Sequence, residues 1–339
     1  MKRLKQFINH DLNLSILIGI TAVVLLWSAV SFGTSMFSMR NFQSMAFQIP
    51  EFGFLALAMM LSNMIGGIDL SIIANANVVA IFTGYVLNGQ WAAGTEGISR
   101  VLLALALATV CSCLFGFFNG FLVSKTSAPP LIATLGTMTL FKGLGMALTG
   151  GSSVGGIIPE FAAVGKAIWL GVPVIFWIFL IVTVLLGFIM SKSGFGRKLY
   201  LYGTNATASR FSAIPNERIC TLTFILTGLL SGIAGLIILS RVNSAKVGYG
   251  DSYLLQTMIV CVIGGIDPNG GRGTVWGVLI AVLLMQIMSS SFTIMSLSPY
   301  TKKLIWGFML ILVLGLNHLI KTYTNRRTLR LSMKGENQL

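Results

Sequence analysis

The sequence predicts an all-α polytopic membrane protein of about ten transmembrane helices (8–10), in two related halves that each hold a broken helix. Three observations predict it. Hydrophobic residues fill 55% of the 339 positions, charged residues only 9%, and the mean hydropathy is +0.86, whereas a soluble domain carries about a quarter charged residues. The apolar residues fall in long runs, most near the ~20 residues that cross a bilayer at 1.5 Å per residue. One costly device occurs twice: Gly66-Gly67-Ile68-Asp69-Leu70-Ser71 and, about two hundred residues later, Gly264-Gly265-Ile266-Asp267-Pro268. A carboxylate is poorly solvated at membrane depth and paired glycines weaken a helix, so the repetition marks corresponding breaks.

Taken in order, the runs lie near 14–32, 52–66, 69–88, 100–123, 130–149, 170–190, 219–240, 251–266, 273–296 and 301–321. The first follows the basic start Met1-Lys2-Arg3-Leu4-Lys5 and lacks a small-residue cleavage site, so it reads as a retained helix. The second and eighth are the short ones, and both end in Gly-Gly-Ile-Asp. Short, glycine-ended runs at corresponding places in two halves point to a transport pathway. No polar stretch is long enough for a separate globular domain, so residues 1–339 read as one transmembrane domain. In the fourth and seventh runs Gly116 and Gly120, then Gly228, Gly232 and Gly235, are spaced for close approach of helix backbones.

The net charge of +14 would suit nucleic acid, but the basic residues flank apolar runs and form no dense patch with aromatics between them. They fit membrane topology instead. With the N-terminus in the cytoplasm, the inner side receives fifteen of the 23 Lys and Arg, including Lys125, Lys192, Arg197, Lys198, Arg210, Arg218, Arg272 and the tail from Lys321 to Lys334. The outer side receives seven: Arg40, Arg100, Lys166, Arg241, Lys246, Lys302 and Lys303. That asymmetry places both termini inside. Lys142, within the fifth run, needs a carboxylate, carbonyl dipoles or water, or must snorkel.

Other chemistries find little support. Cys111, Cys113, Cys220 and Cys261 lie in apolar runs without zinc-ligand spacing, and His10 and His318 stand near the chain ends. No nucleophile–base constellation is evident for a membrane enzyme. Gly270-Gly271-Arg272-Gly273 lacks the lysine-serine/threonine end of a phosphate loop, so the chain should neither bind nor hydrolyse ATP itself. An ion-driven secondary transporter would want more acids at the midplane.

The longest polar stretch, 191–218, joins the sixth and seventh runs on the inner side. Asn205 caps a short helix through Ala206, Ala208, Ser209 and Arg210, which Ala213 to Pro215 would end. A small helix under the membrane suits docking into a soluble partner; a plain basic loop that fixes topology is the alternative.

Here the chain resembles the ribose/xylose-type sugar permeases of ATP-binding-cassette transporters, within the branched-chain-amino-acid/monosaccharide permease superfamily. The resemblance rests on Gly194-Phe195-Gly196-Arg197-Lys198-Leu199-Tyr200, Gly203-Thr204-Asn205, Ala208 and Phe211-Ser212-Ala213-Ile214. It rests also on the Gly66–Ser71 string and on Leu131-Ile132-Ala133-Thr134-Leu135-Gly136-Thr137 with Phe141-Lys142-Gly143-Leu144. Gly264-Gly265 with Gly270-Gly271-Arg272-Gly273-Thr274-Val275-Trp276-Gly277 completes it, in order over residues 50 to 315. Ala213 stands where the family usually has glycine, and Thr204 intervenes between Gly203 and Asn205.

The resemblance implies an importer permease in the bacterial inner membrane, moving a monosaccharide by alternating access. A cytoplasmic ATPase that consumes the ATP would grip Gly196, Arg197, Gly203, Asn205, Ala208, Arg210, Ser212 and Ile214. A periplasmic sugar-binding protein and a second permease copy or paralogue would complete the assembly, with lipid around it and no nucleic acid. A nucleoside or a furanosyl signalling molecule is the alternative cargo.

For the pathway the candidates are Asp69, Ser71, Asn75, Asn77 and Asp267, with Gly66, Gly67, Gly264, Gly265, Gly270 and Gly271 as the breaks. Each aspartate has a second reading. Asp69 would cap a helix from about Leu70, and Asp267 with Pro268 would start another. Asn75 and Asn77 point to different sides of a helix, so one at most faces a pore; bonding between helices is the other reading.

Overall fold

The computed structural model describes residues 12–126 and 128–315. The basic start, His10, His318 and the basic tail from Lys321 lie outside the described residues. Contacts divide the chain into two compact units, Met1–Ser296 and Leu297–Leu339.

The first unit is helical almost throughout. Its helices are α1 (Leu12–Phe32), α2 (Met39–Met64), α3 (Ile72–Leu87), α4 (Gly97–Lys125), α5 (Pro130–Thr149), α6 (Pro159–Lys166), α7 (Val174–Lys192), α8 (Gly194–Thr204), α9 (Ala206–Phe211), α10 (Asn216–Val242), α11 (Tyr253–Ile263) and α12 (Val275–Ile294). Seven helices among the described residues are long and apolar enough to cross a membrane: α1, α2, α4, α5, α7, α10 and α12. α3 and α11 are shorter apolar helices. The chain is therefore an all-α polytopic membrane protein. In the second unit a helix occupies 299–315, and Ser298 Oγ accepts from the Thr301 amide at its start.

Burial sorts the helices. α2 from Ile49 onward, α3 and much of α10 are buried on all sides. α4, α5 and α7 instead leave apolar side chains such as Leu102, Ile132 and Ile181 exposed, as lipid-facing helices must. Small residues let α4 and α10 touch backbone to backbone. A Cβ on Gly116 would overlap the Phe224 carbonyl, one on Gly228 the Ser112 carbonyl, and one on Gly235 the Ala76 carbonyl of α3. That is the close packing the glycine spacing predicted.

α2 corrects the sequence reading of a short second run. It is 26 residues long, about 39 Å at the helical rise. Its first half carries Asn41, Gln43, Gln48, Pro50 and Glu51, which hid it from a hydropathy reading. The eighth run is short in the structure too: α11 has 11 residues. The two glycine-ended helices thus differ in length.

Both nevertheless end the same way. The Gly66 φ is +74° and the Gly67 amide donates to Ser62 O at 3.0 Å; the Gly265 φ is +80° and the Ile266 amide donates to Cys261 O at 2.9 Å. Each is a left-handed glycine closing a helix C-terminus, offset by one residue between the two sequences. After the second break no helix begins at Pro268. Asp267 O accepts from the Gly270 amide at 2.9 Å in a tight turn, and α12 starts only at Val275, capped by Thr274, whose hydroxyl accepts from the Gly277 amide at 3.1 Å. Three more glycines with positive φ (Gly270, Gly271 and Gly273) make the intervening chain a turn, overriding the proline signal.

Away from the α8–α9 end, short elements link the spans. β1 (Val154–Gly155) pairs antiparallel with β4 (Ser244–Ala245), and β2 (Ile168–Trp169) with β3 (Val172–Pro173) as a hairpin.

Candidate functional site

The polar stretch between α7 and α10 folds as two short helices, each capped by its own sequence. Ser193 Oγ accepts from the Gly196 amide at 3.1 Å and starts α8; Asn205 Oδ1 accepts from the Ala208 amide at 2.9 Å and starts α9. A Cβ on Gly196 would overlap the Met190 carbonyl, so glycine permits the tight turn out of α7. α9 ends at Ala213, which takes φ +56° while the Ile214 amide donates to Ser209 O at 3.1 Å. This is a glycine-type helix end built with alanine. Asn216 of α10 closes the hairpin: its Nδ2 donates to Ala206 O at 2.7 Å and its Oδ1 accepts from Ser209 Oγ at 2.9 Å.

Two faces result. Arg197, Asn205, Ala208, Arg210 and Ser212 are exposed, with Phe211 89% exposed beside them, while Gly203 and Ile214 are half-buried and Gly196 buried. The outer face is cationic with one projecting aromatic ring; the inner face meets the bundle. There Gly203 is wedged between the ends of α2 and the loop after α11. A Cβ on it would overlap the Met64 carbonyl and lie 2.5 Å from the Gly271 nitrogen. The Gly271 amide donates to Met64 O at 2.9 Å, and the Tyr200 hydroxyl to Gly273 O at 2.7 Å. A Cβ on Gly270 would come 2.8 Å from the Gly66 nitrogen. The structure therefore brings Gly66, Gly203, Gly270 and Gly271 into one backbone junction. Burial pushes the Tyr200 phenol up, and burial, with Cys220 beside it, pushes Tyr202 up to about 12. Both phenols stay neutral, and Tyr200 stays a donor, at any physiological pH.

Asp69 lies just past this junction, 2% exposed. Its Oδ1 accepts from the Ser71 amide at 2.9 Å and the Ser71 hydroxyl at 2.7 Å, while Oδ2 receives the Thr227 hydroxyl at 3.3 Å. Asn119 Nδ2 donates to Ser71 Oγ at 2.7 Å. α3 starts at Ile72, two residues later than the sequence suggested, and the Ser71 side chain does not cap it. One turn on, Asn75 Nδ2 donates to Gly228 O at 3.4 Å, while Asn75 Oδ1, Asn77 Nδ2 and Asn119 Oδ1 are buried without a hydrogen-bond partner among the described residues. Asp69, Ser71 and Asn75 thus form one buried polar knot between α3, α4 and α10. Asn77 is buried elsewhere along α3, and half-buried Asp267 sits in the turn after α11, where Oδ1 accepts from the Asn269 amide at 3.1 Å. Gly67 packs against Pro130 and Gly264 against Gly277.

Two ionic contacts tie the opposite half. Lys142 meets Asp251 at 3.2 Å. Buried Glu51 of α2 takes a two-point contact from Arg241, with Nη2 to Oε2 at 3.0 Å, and accepts from the Tyr253 hydroxyl at 2.8 Å. In the sequence Arg241 reads only as an outer-side charge, and no motif marks Glu51, Asn119 and Thr227 as its partners or as site residues. A lone acid at the edge of the second apolar run and a lone amide inside the fourth are the signals the sequence offers for Glu51 and Asn119. Among the described residues no group of three His, Cys, Asp or Glu side chains could hold a metal.

Comparison with known proteins gives this arrangement a family. The model of the branched-chain amino acid transport system / permease component family matches residues 41–314. A ribose import permease protein of Bacillus subtilis (strain 168) is 30% identical over 279 residues, 82% of this chain and 84% of its own length. An autoinducer 2 import system permease protein of Yersinia enterocolitica is 30% identical over 311 residues, 87% of this chain and 92% of its own. An L-arabinose transport system permease protein of Escherichia coli (strain K12) is 28% identical over 271 residues, 80% of each chain. No solved structure matches. The chain belongs to the branched-chain amino acid transport system / permease component family.

Proposed function

We propose that this chain is the membrane-spanning subunit of an ATP-binding-cassette importer and moves a monosaccharide by alternating access. The observation that carries this reading is the α8–α9 hairpin: exposed and basic outside, and seated through Gly203 on the ends of α2 and α11 inside. Such a lever has a purpose only if something outside the bundle pushes it. A separate cytoplasmic ATPase would supply that push, so the chain itself binds no nucleotide or other cofactor. Closure of the ATPase would shift the hairpin, and the Gly203–Met64–Gly271 junction would pass the shift to the helices after each break.

The ribose and arabinose relatives support a sugar cargo. The autoinducer 2 relatives favour a second reading, a furanosyl signalling molecule carried by the same route; a nucleoside remains a third cargo, and ion-coupled secondary transport is the rival mechanism. A periplasmic binding protein would deliver the cargo, and a second permease copy or paralogue would complete the pathway. About ten helices in two related halves, crossing the bacterial inner membrane with both termini on the cytoplasmic side, fit the distribution of basic residues. Because Asp69, Ser71 and Asn75 are buried within the subunit and bonded to Asn119, Thr227 and Gly228, their part is to hold the start of α3 against α4 and α10 as the halves move. Arg210→Glu, on the outer face of the hairpin, tests the reading. ATP-driven uptake should be lost while membrane insertion persists, and wild-type uptake with normal ATPase stimulation would refute the docking role.

A further inference from the structure

A cavity of about 530 Å³ opens between the later turns of α1, the first turns of α2, the β2–β3 hairpin and α12. Leu25, Met36, Met45, Ile49, Phe176 and Ile287 form most of its wall. Thr21 and Gln43 also line it, but their hydrogen bonds go to the main chain: Thr21 Oγ1 to Leu17 O at 2.8 Å, Gln43 Nε2 to Gly171 O at 3.2 Å. Such a lining does not suit a sugar, whose hydroxyls need partners. Methionines on an apolar wall suit a flexible aliphatic guest.

The mouth of the cavity has different chemistry. The hairpin beside it carries Trp169, 59% exposed, and Leu170, 75% exposed, with Trp177 edge-on to Trp169 at 5.8 Å. Exposed tryptophans at the ends of spanning helices belong at the headgroup level of a bilayer. Arg40 is exposed in the first turn of α2, between the lining residues Met39 and Phe42, and that turn holds no acid. A guanidinium at a helix N-terminus favours an anion. We propose that this groove holds one acyl chain of an anionic phospholipid, with the phosphate at Arg40 and the headgroup level with Trp169. The apolar wall suits an acyl chain, and the neighbouring aromatic and cationic side chains suit the polar part of the same molecule.

The test uses the full chain in nanodiscs of equal parts phosphatidylethanolamine and phosphatidylglycerol, read by native mass spectrometry. The wild type should retain one phospholipid. Ala46→Trp from α2 and Thr21→Trp from α1 should each fill the groove and lose that lipid, while Leu102→Trp on the outer face of α4 keeps it. Arg40→Ala, which disturbs no packing, should lower the preference for phosphatidylglycerol by about fivefold. Retention in both groove variants, equal loss in Leu102→Trp, or an unchanged preference in Arg40→Ala would overturn the proposal. A wild-type dimer that Ala46→Trp splits would assign the groove to a second copy and overturn it as well.

Discussion

Gly203→Ala reads out the junction that makes the hairpin a lever. The new methyl would overlap the Met64 carbonyl and lie 2.5 Å from the Gly271 nitrogen, where an ordinary contact is 3.4–4 Å. Both neighbours are backbone, so no side chain can swing aside, and α8 must lift by about 1 Å. Overpacking of this kind costs about 1–3 kcal/mol, and straining the 2.9 Å hydrogen bond from Gly271 to Met64 adds about 1 kcal/mol. The expected loss is therefore about 2–4 kcal/mol, concentrated where α8 meets α2 and the loop after α11. Gly143→Ala is the control. It lies in α5 with nothing within 4 Å of a Cβ, so it should gain up to about 1 kcal/mol of helix propensity. The assays are thermal unfolding of the purified chain and uptake by the assembled transporter. Gly203→Ala should lower the midpoint and cut uptake, with Gly143→Ala neutral or better in both. Equal behaviour of the two variants would refute the junction argument.

Three further outcomes follow from local geometry. Ala213→Gly should stabilise the end of α9 by roughly 0.5–1 kcal/mol, because a left-handed φ of +56° strains alanine and suits glycine; a lowered unfolding midpoint would contradict that end. Asp69→Asn should keep substantial uptake, since an amide oxygen still accepts from Ser71 and its nitrogen can donate to Thr227; complete loss with intact assembly would assign the charge a direct role. Glu51→Gln should destabilise by about 1.5–3 kcal/mol, because it leaves Arg241 facing an uncharged partner between α2 and α10, and an unchanged midpoint would argue against that contact.

How much of this was legible depended on the physical signal. α5 occupies 130–149, as its apolar run suggested, because proline starts it and Gly150 in a left-handed conformation ends it. α9 was legible through Asn205, since capping is local chemistry. α2 was not, because tertiary contacts decide its first half: Glu51 is buried where Arg241 and Tyr253, about 190 and 200 residues away, come to meet it. The helix start at Pro268 failed for the same class of reason. Proline and aspartate suit a first helical turn and a tight turn equally, and the glycines that follow select the turn. The resemblance named the hairpin but not its footing, since the contact of Gly203 with Met64 is a meeting of backbones that no side-chain pattern announces.

The central property of this chain is that it moves solute only when pushed. Purified chain in liposomes, with and without its cognate ATPase and binding protein, measures this directly by accumulation of labelled ribose. Accumulation that requires both the ATPase and ATP is the predicted result. Accumulation by the chain alone under an imposed ion gradient would contradict it.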